Sequence, residues 1–327
     1  MGKILVTGAN GFVGSALCRG LSRDGFSLRG AIRLPEYAGL LPKGIEPFVT
    51  GGIGPRTEWA AALEGIEGIV HLAGFAHSYQ NSKERYADEV SGAERLARQA
   101  AQHGVRRLVY LSTIKVNGEY SLRDKNGRIV SFNEEGRPDP QDNYALYKWK
   151  AEQALCRIQE ESELKIIILR SPLIYGPQVK ANFLSLIKLV DSRIPLPLAG
   201  IKNKRSLIYL GNLVDIICRC LTEPQAGGQV FLVSDGQDIS TPELVSLIAE
   251  GLRRRPRLFP FPLGLMRSVG KIAGRLPEVE RLTRSLVIDS QKINRLLNWK
   301  PPYTLRQGIQ LTVDAYKARK SPDEALF

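Results

Sequence analysis

The segment Val6-Thr7-Gly8-Ala9-Asn10-Gly11-Phe12-Val13-Gly14 constrains this chain more than any other stretch. The preceding run Lys3 to Thr7 is short, apolar and β-prone, and Val13, Leu17 and Leu21 then recur at helical spacing until Asp24-Gly25. Strand, glycine turn and helix therefore stand in that order. Glycines at 8, 11 and 14 permit a tight turn and let the backbone approach a pyrophosphate, whose charge the open N–H groups of a helix start stabilise. Asn10, Phe12 and Val13 fill the turn between them. The spacing is G-x-x-G-x-x-G rather than the commoner G-x-G-x-x-G. Ordinary loops also use glycine, so the segment takes its meaning from the rest of the chain.

Short apolar runs near 3–7, 27–33, 45–49, 68–73, 107–112 and 165–170 read as strands, separated by amphipathic segments. Residues 84–103 and 142–161 are the clearest helices, the second with Asp142 as its N-cap. This alternation predicts an α/β fold, a Rossmann-type doubly wound parallel sheet. After Tyr175-Gly176-Pro177 the rhythm changes to helices, prolines and isolated strand-like pieces, which predicts a smaller, mostly helical C-terminal substrate lobe. The expected division is a dinucleotide domain over 1–176 and a substrate lobe over 177–327, with segments near 206–235 returning to the main sheet. Ser240-Thr241-Pro242-Glu243 has the polar cap and early proline of a helix start, and the last eight residues read as a fraying tail.

Composition narrows the classes. A hydrophobic content of 43% with 24% charged residues is ordinary for a globular protein, and no stretch of 18 apolar residues suggests a membrane span. The first residues carry no signal-peptide or myristoylation pattern, so the expected location is cytoplasmic. Cys18, Cys156, Cys218 and Cys220 form no C-x-x-C pair, and His71, His77 and His103 no ligand-like cluster, so reduced thiols and no metal are expected. The net charge of +13 favours anionic partners. Basic residues are spread along the chain apart from Leu252-Arg253-Arg254-Arg255-Pro256-Arg257, which argues against nucleic acid. A diphosphate-bearing substrate, proximity to a membrane or a plain solvated surface fits this charge. Between Phe259 and Leu276, prolines and apolar residues interleaved with Arg267, Lys271 and Arg275 read either as an interfacial helix or as a packing helix with a basic outer face.

Three further pieces carry chemistry. Tyr144 and Lys148, four apart on a predicted helix, share one face, and a nearby ammonium favours a phenolate and lowers the tyrosine pKa toward a working acid/base range. Tyr147 lacks the partner, because Ala151 stands four residues on. Leu111-Ser112-Thr113-Ile114-Lys115-Val116-Asn117-Gly118 places hydroxyls at the end of the fifth strand, facing the ligand crevice. Arg170-Ser171-Pro172-Leu173-Ile174-Tyr175-Gly176-Pro177 comes after the sixth, where rigid Pro172 can shape a cofactor pocket.

With these pieces in order, and with His71-Leu72-Ala73-Gly74, Arg205 to Asp215 and Leu297-Asn298-Trp299-Lys300-Pro301, the chain resembles the extended short-chain dehydrogenase/reductases acting on nucleotide sugars. The resemblance covers almost the whole chain. It implies Tyr144 as general acid/base, Lys148 as the residue that holds the nicotinamide ribose and tunes Tyr144, and Thr113 as a hydrogen-bond partner of the reacting sugar oxygen. It also implies cofactor contacts from Leu72, Ala73, Gly74 and Pro172, diphosphate contacts from Asn182 and Arg205, and a homodimer. Three departures stand out: Asn117 where tyrosine is frequent, Gly74 where a second alanine is usual, and no adenine-contacting aspartate in Val49-Thr50-Gly51-Gly52-Ile53.

Arg33 ends the second strand, where an acid would accept from a ribose 2′-hydroxyl and an arginine pairs with a 2′-phosphate. NADP(H) is therefore expected over NAD(H). The resemblance implies chemistry at C4 of a UDP-sugar: reduction of UDP-4-keto-6-deoxy-GlcNAc to UDP-QuiNAc or its C4 epimer in bacterial polysaccharide biosynthesis is expected first. A UDP-hexose or UDP-N-acetylhexosamine 4-epimerase with bound NAD is the alternative, and a non-catalytic dinucleotide sensor or RNA-binding relative is a third reading.

Overall fold

The computed structural model describes residues 2–74 and 83–324; His77 lies outside them. In chain order the elements are β1 (Lys3–Thr7), α1 (Phe12–Arg23), β2 (Ser27–Ile32), β3 (Glu46–Val49), α2 (Ala60–Leu63), β4 (Ile66–His71) and α3 (Lys83–Gln102). Next come β5 (Arg107–Thr113), α4 (Asn143–Glu160), β6 (Lys165–Ser171), β7 (Leu173–Tyr175), α5 (Ala181–Asp191), β8 (Arg205–Tyr209) and α6 (Leu210–Thr222). The chain closes with β9 (Val230–Leu232), β10 (Asp238–Ile239), α7 (Thr241–Gly251), α8 (Leu263–Ile272), α9 (Leu276–Thr283), α10 (Gln291–Leu296) and α11 (Leu305–Glu324).

Seven strands form one parallel sheet in the order β3-β2-β1-β4-β5-β6-β9. Strand side chains alternate between its faces, and the sequence fills both. Ile4 and Val6 of β1 face a cluster with Leu17 and Leu21 of α1 and Leu213 and Ile217 of α6. Leu5 faces the opposite cluster with Leu96 and Ala97 of α3 and Leu155 and Ile158 of α4. The chain reverses direction across the sheet between β1 and β4, so the carboxyl ends of those two strands frame a crevice. The glycine turn sits at that point.

Of the two late strands expected to return to this sheet, β9 does and β8 does not. Val230 pairs with Ile168, so β9 takes the edge beside β6. Pro172 separates β6 from β7, and from there the chain builds a second sheet ordered β10-β8-β7. Proline has no N–H to extend the β6 ladder. Asp235 links the second sheet to α6, accepting from Tyr175 Oη at 2.7 Å, Tyr209 N at 2.8 Å and Asn212 Nδ2 at 2.7 Å. Around this sheet α5, α7 and α11 bury a third cluster that includes Phe183, Ile187, Val245, Ile248, Ile309 and Val313.

The caps at Asp142 and Ser240 form, the latter as a reciprocal capping box with Glu243, with Pro242 the second helical residue. The expected fraying tail is helical through Glu324. Leu305, Ile309 and Val313 seat α11 in the third cluster, and Tyr316 Oη and Lys320 Nζ bond Asp191 at 2.9 and 3.1 Å.

Candidate active site

The turn after β1 is held from below by Thr7. Its buried hydroxyl lies 2.7 Å from His71 Nδ1 and accepts from Leu72 N and Ala73 N at 3.2 Å each, tying the end of β1 to the end of β4. Burial, with Lys148 nearby, pushes the His71 imidazole down to about 3, so it is neutral at working pH. Gly8 has φ +68°, and a Cβ there would lie 3.1 Å from Ala73 N. A Cβ on Gly14 would collide with the Gly8 carbonyl. Gly11 is the N-cap of α1 and supplies no side-chain cap, so the first-turn N–H groups are open at the carboxyl edge of the sheet. A closely approachable backbone with an uncapped helix start fits a dinucleotide pyrophosphate.

Gly74 joins this turn to the Tyr-Lys helix. Lys148 Nζ, on α4, is buried, lies 2.9 Å from Glu89 Oε1 on α3 and sits 4.8 Å from the centroid of the Tyr110 ring. A Cβ on Gly74 would come 2.5 Å from that Glu89 oxygen and 3.1 Å from Lys148 Nζ. The departure from the usual alanine thus has a steric reason: the carboxylate occupies the space of the methyl group.

Sequence reasoning missed Glu89. The available signal was an acid on the apolar ladder Tyr86, Glu89, Ala93, Leu96, since carboxylates are seldom buried without a partner.

Tyr144 is half-buried one turn before Lys148. Burial raises its pKa above the ordinary phenol value, Lys148 pulls it down, and Glu89 pushes it up. The net shift runs opposite to the expected one because the loss of water around the phenolate outweighs the ammonium. Replacing Glu89→Gln removes one raising charge while leaving an oxygen for Lys148. The rise of kcat/KM with pH that reports phenolate formation should therefore move to lower pH. A limb at the same pH in both proteins would exclude the Glu89 charge from Tyr144 ionisation.

Ser112 and Thr113 point to opposite sides of β5. The buried Ser112 hydroxyl donates to Glu152, whose carboxylate pairs with Arg170 through Nε at 3.2 Å and Nη2 at 2.6 Å. Arg170 Nη1 also donates to Asn117 Oδ1 at 2.9 Å, and Asn117 Nδ2 donates to Asn133 O at 3.0 Å. Asn117 is therefore a structural bridge under the strand ends. With Ser112 engaged, Thr113 carries the hydroxyl at the tip of β5, where it accepts from Lys115 N at 3.3 Å. Tyr147 is committed elsewhere, stacked on Tyr86 at 5.5 Å between ring centroids.

The remaining residues lie around this centre. Arg33 is exposed immediately after β2, and Pro172 is buried between the two sheets. Asn182 is exposed in the first turn of α5. Arg205 opens β8 and donates through Nη1 to the Arg281 carbonyl at 2.9 Å and the Arg284 carbonyl at 3.4 Å. Among the described residues, neither Asn182 nor Arg205 hydrogen-bonds to Thr113, Tyr144 or Lys148. Beyond β3 lies a surface hollow of about 590 Å³ lined by Val49, Thr50, Gly52, Ile53, Arg56 and Asp88. Glu58, and Asp88 from α3, bring acids to this hollow, where Val49-Thr50-Gly51-Gly52-Ile53 itself has none. Among the described residues no three His, Cys, Asp or Glu side chains gather as a metal site.

A glycine cradle at the switch point of a parallel sheet, beside a Tyr-Lys helix, is the arrangement of the extended short-chain dehydrogenase/reductase fold. Residues 4–234 match the NAD dependent epimerase/dehydratase family, and the chain belongs to it. It is 38% identical over 325 residues to "UDP-glucose 4-epimerase" of Vibrio cholerae, with 96% of this chain and 95% of the relative covered. It is 25% identical over 343 residues to "N-acetyl-alpha-D-glucosaminyl-diphospho-ditrans,octacis-undecaprenol 4-epimerase" of Escherichia coli O157:H7, covering 99% and 98%. The fold superimposes on UDP-glucuronic acid 4-epimerase from Bacillus cereus in complex with NAD, with a TM-score of 0.77, 20% identity and coverage of 97% and 99%.

Proposed function

We propose that this protein interconverts C4 epimers of a UDP-hexose or UDP-N-acetylhexosamine. The observation that carries the reading is the meeting of the glycine cradle with Lys148 at Gly74, which joins a dinucleotide seat to an acid/base helix. Support also comes from the 38% identical relative, whose name is that of a 4-epimerase. Residues 1–176, with β9 returning to their sheet, would hold the dinucleotide, the rest of 177–327 would cover the sugar, and Asn182 and Arg205 are the side chains for the diphosphate. The glycine cradle and Lys148 would hold a nicotinamide dinucleotide, which would supply the hydride acceptor at C4 and, for the way back, the hydride donor. Tyr144 removes the proton of the sugar 4-hydroxyl as the C4 hydride departs, and Thr113 holds that oxygen. Lys148 stabilises the phenolate. After the 4-keto sugar presents its other face, Tyr144 returns the proton and the opposite configuration forms.

The test is incubation of purified protein with UDP-glucose and with UDP-N-acetylglucosamine without added cofactor. The C4 epimer is expected, and no epimer from either sugar would overturn the reading. One observation favours a second reading, reduction of UDP-4-keto-6-deoxy-GlcNAc to UDP-QuiNAc or its C4 epimer: Arg33 stands exposed where a 2′-phosphate would lie. In that case NADPH is consumed stoichiometrically with the keto sugar. Arg33→Asp should then weaken NADP(H) binding by about tenfold or more while sparing NAD(H), a charge-assisted pair being worth roughly 1.5–3 kcal/mol. Equal NADP(H) affinity in the variant, measured by titration, would remove Arg33 from cofactor choice.

A further inference from the structure

Among the described residues, helix α8 leaves an apolar face without a partner. It buries Met266 and Gly270 against the lobe, and a packing helix would expose a polar surface on the far side. Instead Leu265, Val269 and Ile272, spaced four and three apart on one stripe, are 51%, 53% and 89% exposed. Leu263 at the start of the helix and Phe259 just before it are each 40% exposed. The charge along this stretch of sequence is of one sign, the acids nearby coming from α5 and α9. From Gly251 to Pro277 the sequence has no Asp or Glu, while Arg253, Arg254, Arg255, Arg257, Arg267, Lys271 and Arg275 all fall within it. Arg254 is neutralised by Asp191 and Arg267 by Glu280, whereas Lys271 and Arg275 are exposed beside the apolar stripe. Among the described residues no helix is long and apolar enough to cross a bilayer.

We propose that α8 is a peripheral docking element that lays Leu265, Val269 and Ile272 into the surface of an anionic lipid bilayer. An apolar stripe flanked by cations meets both requirements of an interfacial helix: acyl chains take the side chains, and anionic headgroups lie beside the Lys271 and Arg275 charges. A protein partner would need matching acids and a shaped apolar groove, whereas a bilayer needs only this combination of stripe and charge. The helix is about 15 Å long, so attachment is shallow and reversible. The substrate lobe then works against the membrane face while the dinucleotide sheet stays in water.

The experiment is co-flotation of the full chain with vesicles of phosphatidylcholine alone and of phosphatidylcholine mixed with phosphatidylglycerol. Binding to the mixed vesicles is expected, with little to phosphatidylcholine alone. Raising the salt to about 0.5 M, which roughly halves the screening length, should release most of it. The double variant Leu265→Ser with Ile272→Ser should bind at least about tenfold more weakly. Lys271→Gln with Arg275→Gln should lose the preference for phosphatidylglycerol. All these side chains are exposed, so thermal unfolding midpoints should match the parent. Failure of the parent chain to float with mixed vesicles, or unchanged flotation of the Ser variant, would overturn the proposal. So would a concentration-dependent self-association that the Ser variant abolishes in place of vesicle binding.

Discussion

Tyr144→Phe is expected to lower kcat/KM by about 10²- to 10⁴-fold, the range associated with loss of a positioned proton-transfer group. The ring stays, so packing on α4 and the α3–α4 contact are retained, while the atom that exchanges a proton with the sugar oxygen is gone. Substrate and cofactor should still bind, because the glycine cradle and Lys148 are untouched. The measurement is steady-state turnover beside an equilibrium titration of the dinucleotide. A variant that turns over within a few-fold of the parent would move the acid/base role to another residue. Thr113 would then be the first to test, since Ser112 donates its hydroxyl to Glu152.

Glu152→Ala should be strongly destabilising, costing about 3–5 kcal/mol, because it strands the buried Arg170 guanidinium. Glu152 and Arg170 have only 4% and 7% of their side-chain surface exposed. The truncation also removes the acceptor of the Ser112 hydroxyl. Replacing both members with apolar residues of similar length, Glu152→Met with Arg170→Met, should recover most of the loss, since no charge is then left without its counterpart. Denaturant midpoints at constant slope would report both effects. An unchanged midpoint for Glu152→Ala would show that the pair adds nothing to the fold. The location of this pair matters for the site. It lies under the carboxyl ends of β5 and β6 and fixes Asn117, so it braces the strand tip that carries Thr113.

Much of this was legible along the chain, for local reasons. Strand β1, the turn at Gly8 and the helix α1 are dictated by apolar runs and glycine spacing within two dozen residues. The caps at Asp142 and Ser240 are equally local, as is the i, i+4 relation of Tyr144 to Lys148. Arg33 at the end of β2 needed only the strand boundary. Family resemblance then joined these pieces into one expected site.

Contacts distant in sequence were not legible, because they depend on which helix lies over which strand. Glu89 reaches Lys148 from 59 residues away (148 − 89), and Gly74 is free of a methyl because of it. The net direction of the Tyr144 pKa needed its burial, which spacing on a helix does not reveal. Which late strand takes the edge beside β6 was likewise decided by the packed chain: β9 pairs there and β8 lies in the smaller sheet. The sequence by itself determined the local geometry: a dinucleotide turn, a parallel α/β fold and a Tyr-Lys pair on one helix face. Only the tertiary structure decided how those parts are charged and braced. Burial sets the strength of each electrostatic effect by removing water, and burial is a property of the packed chain.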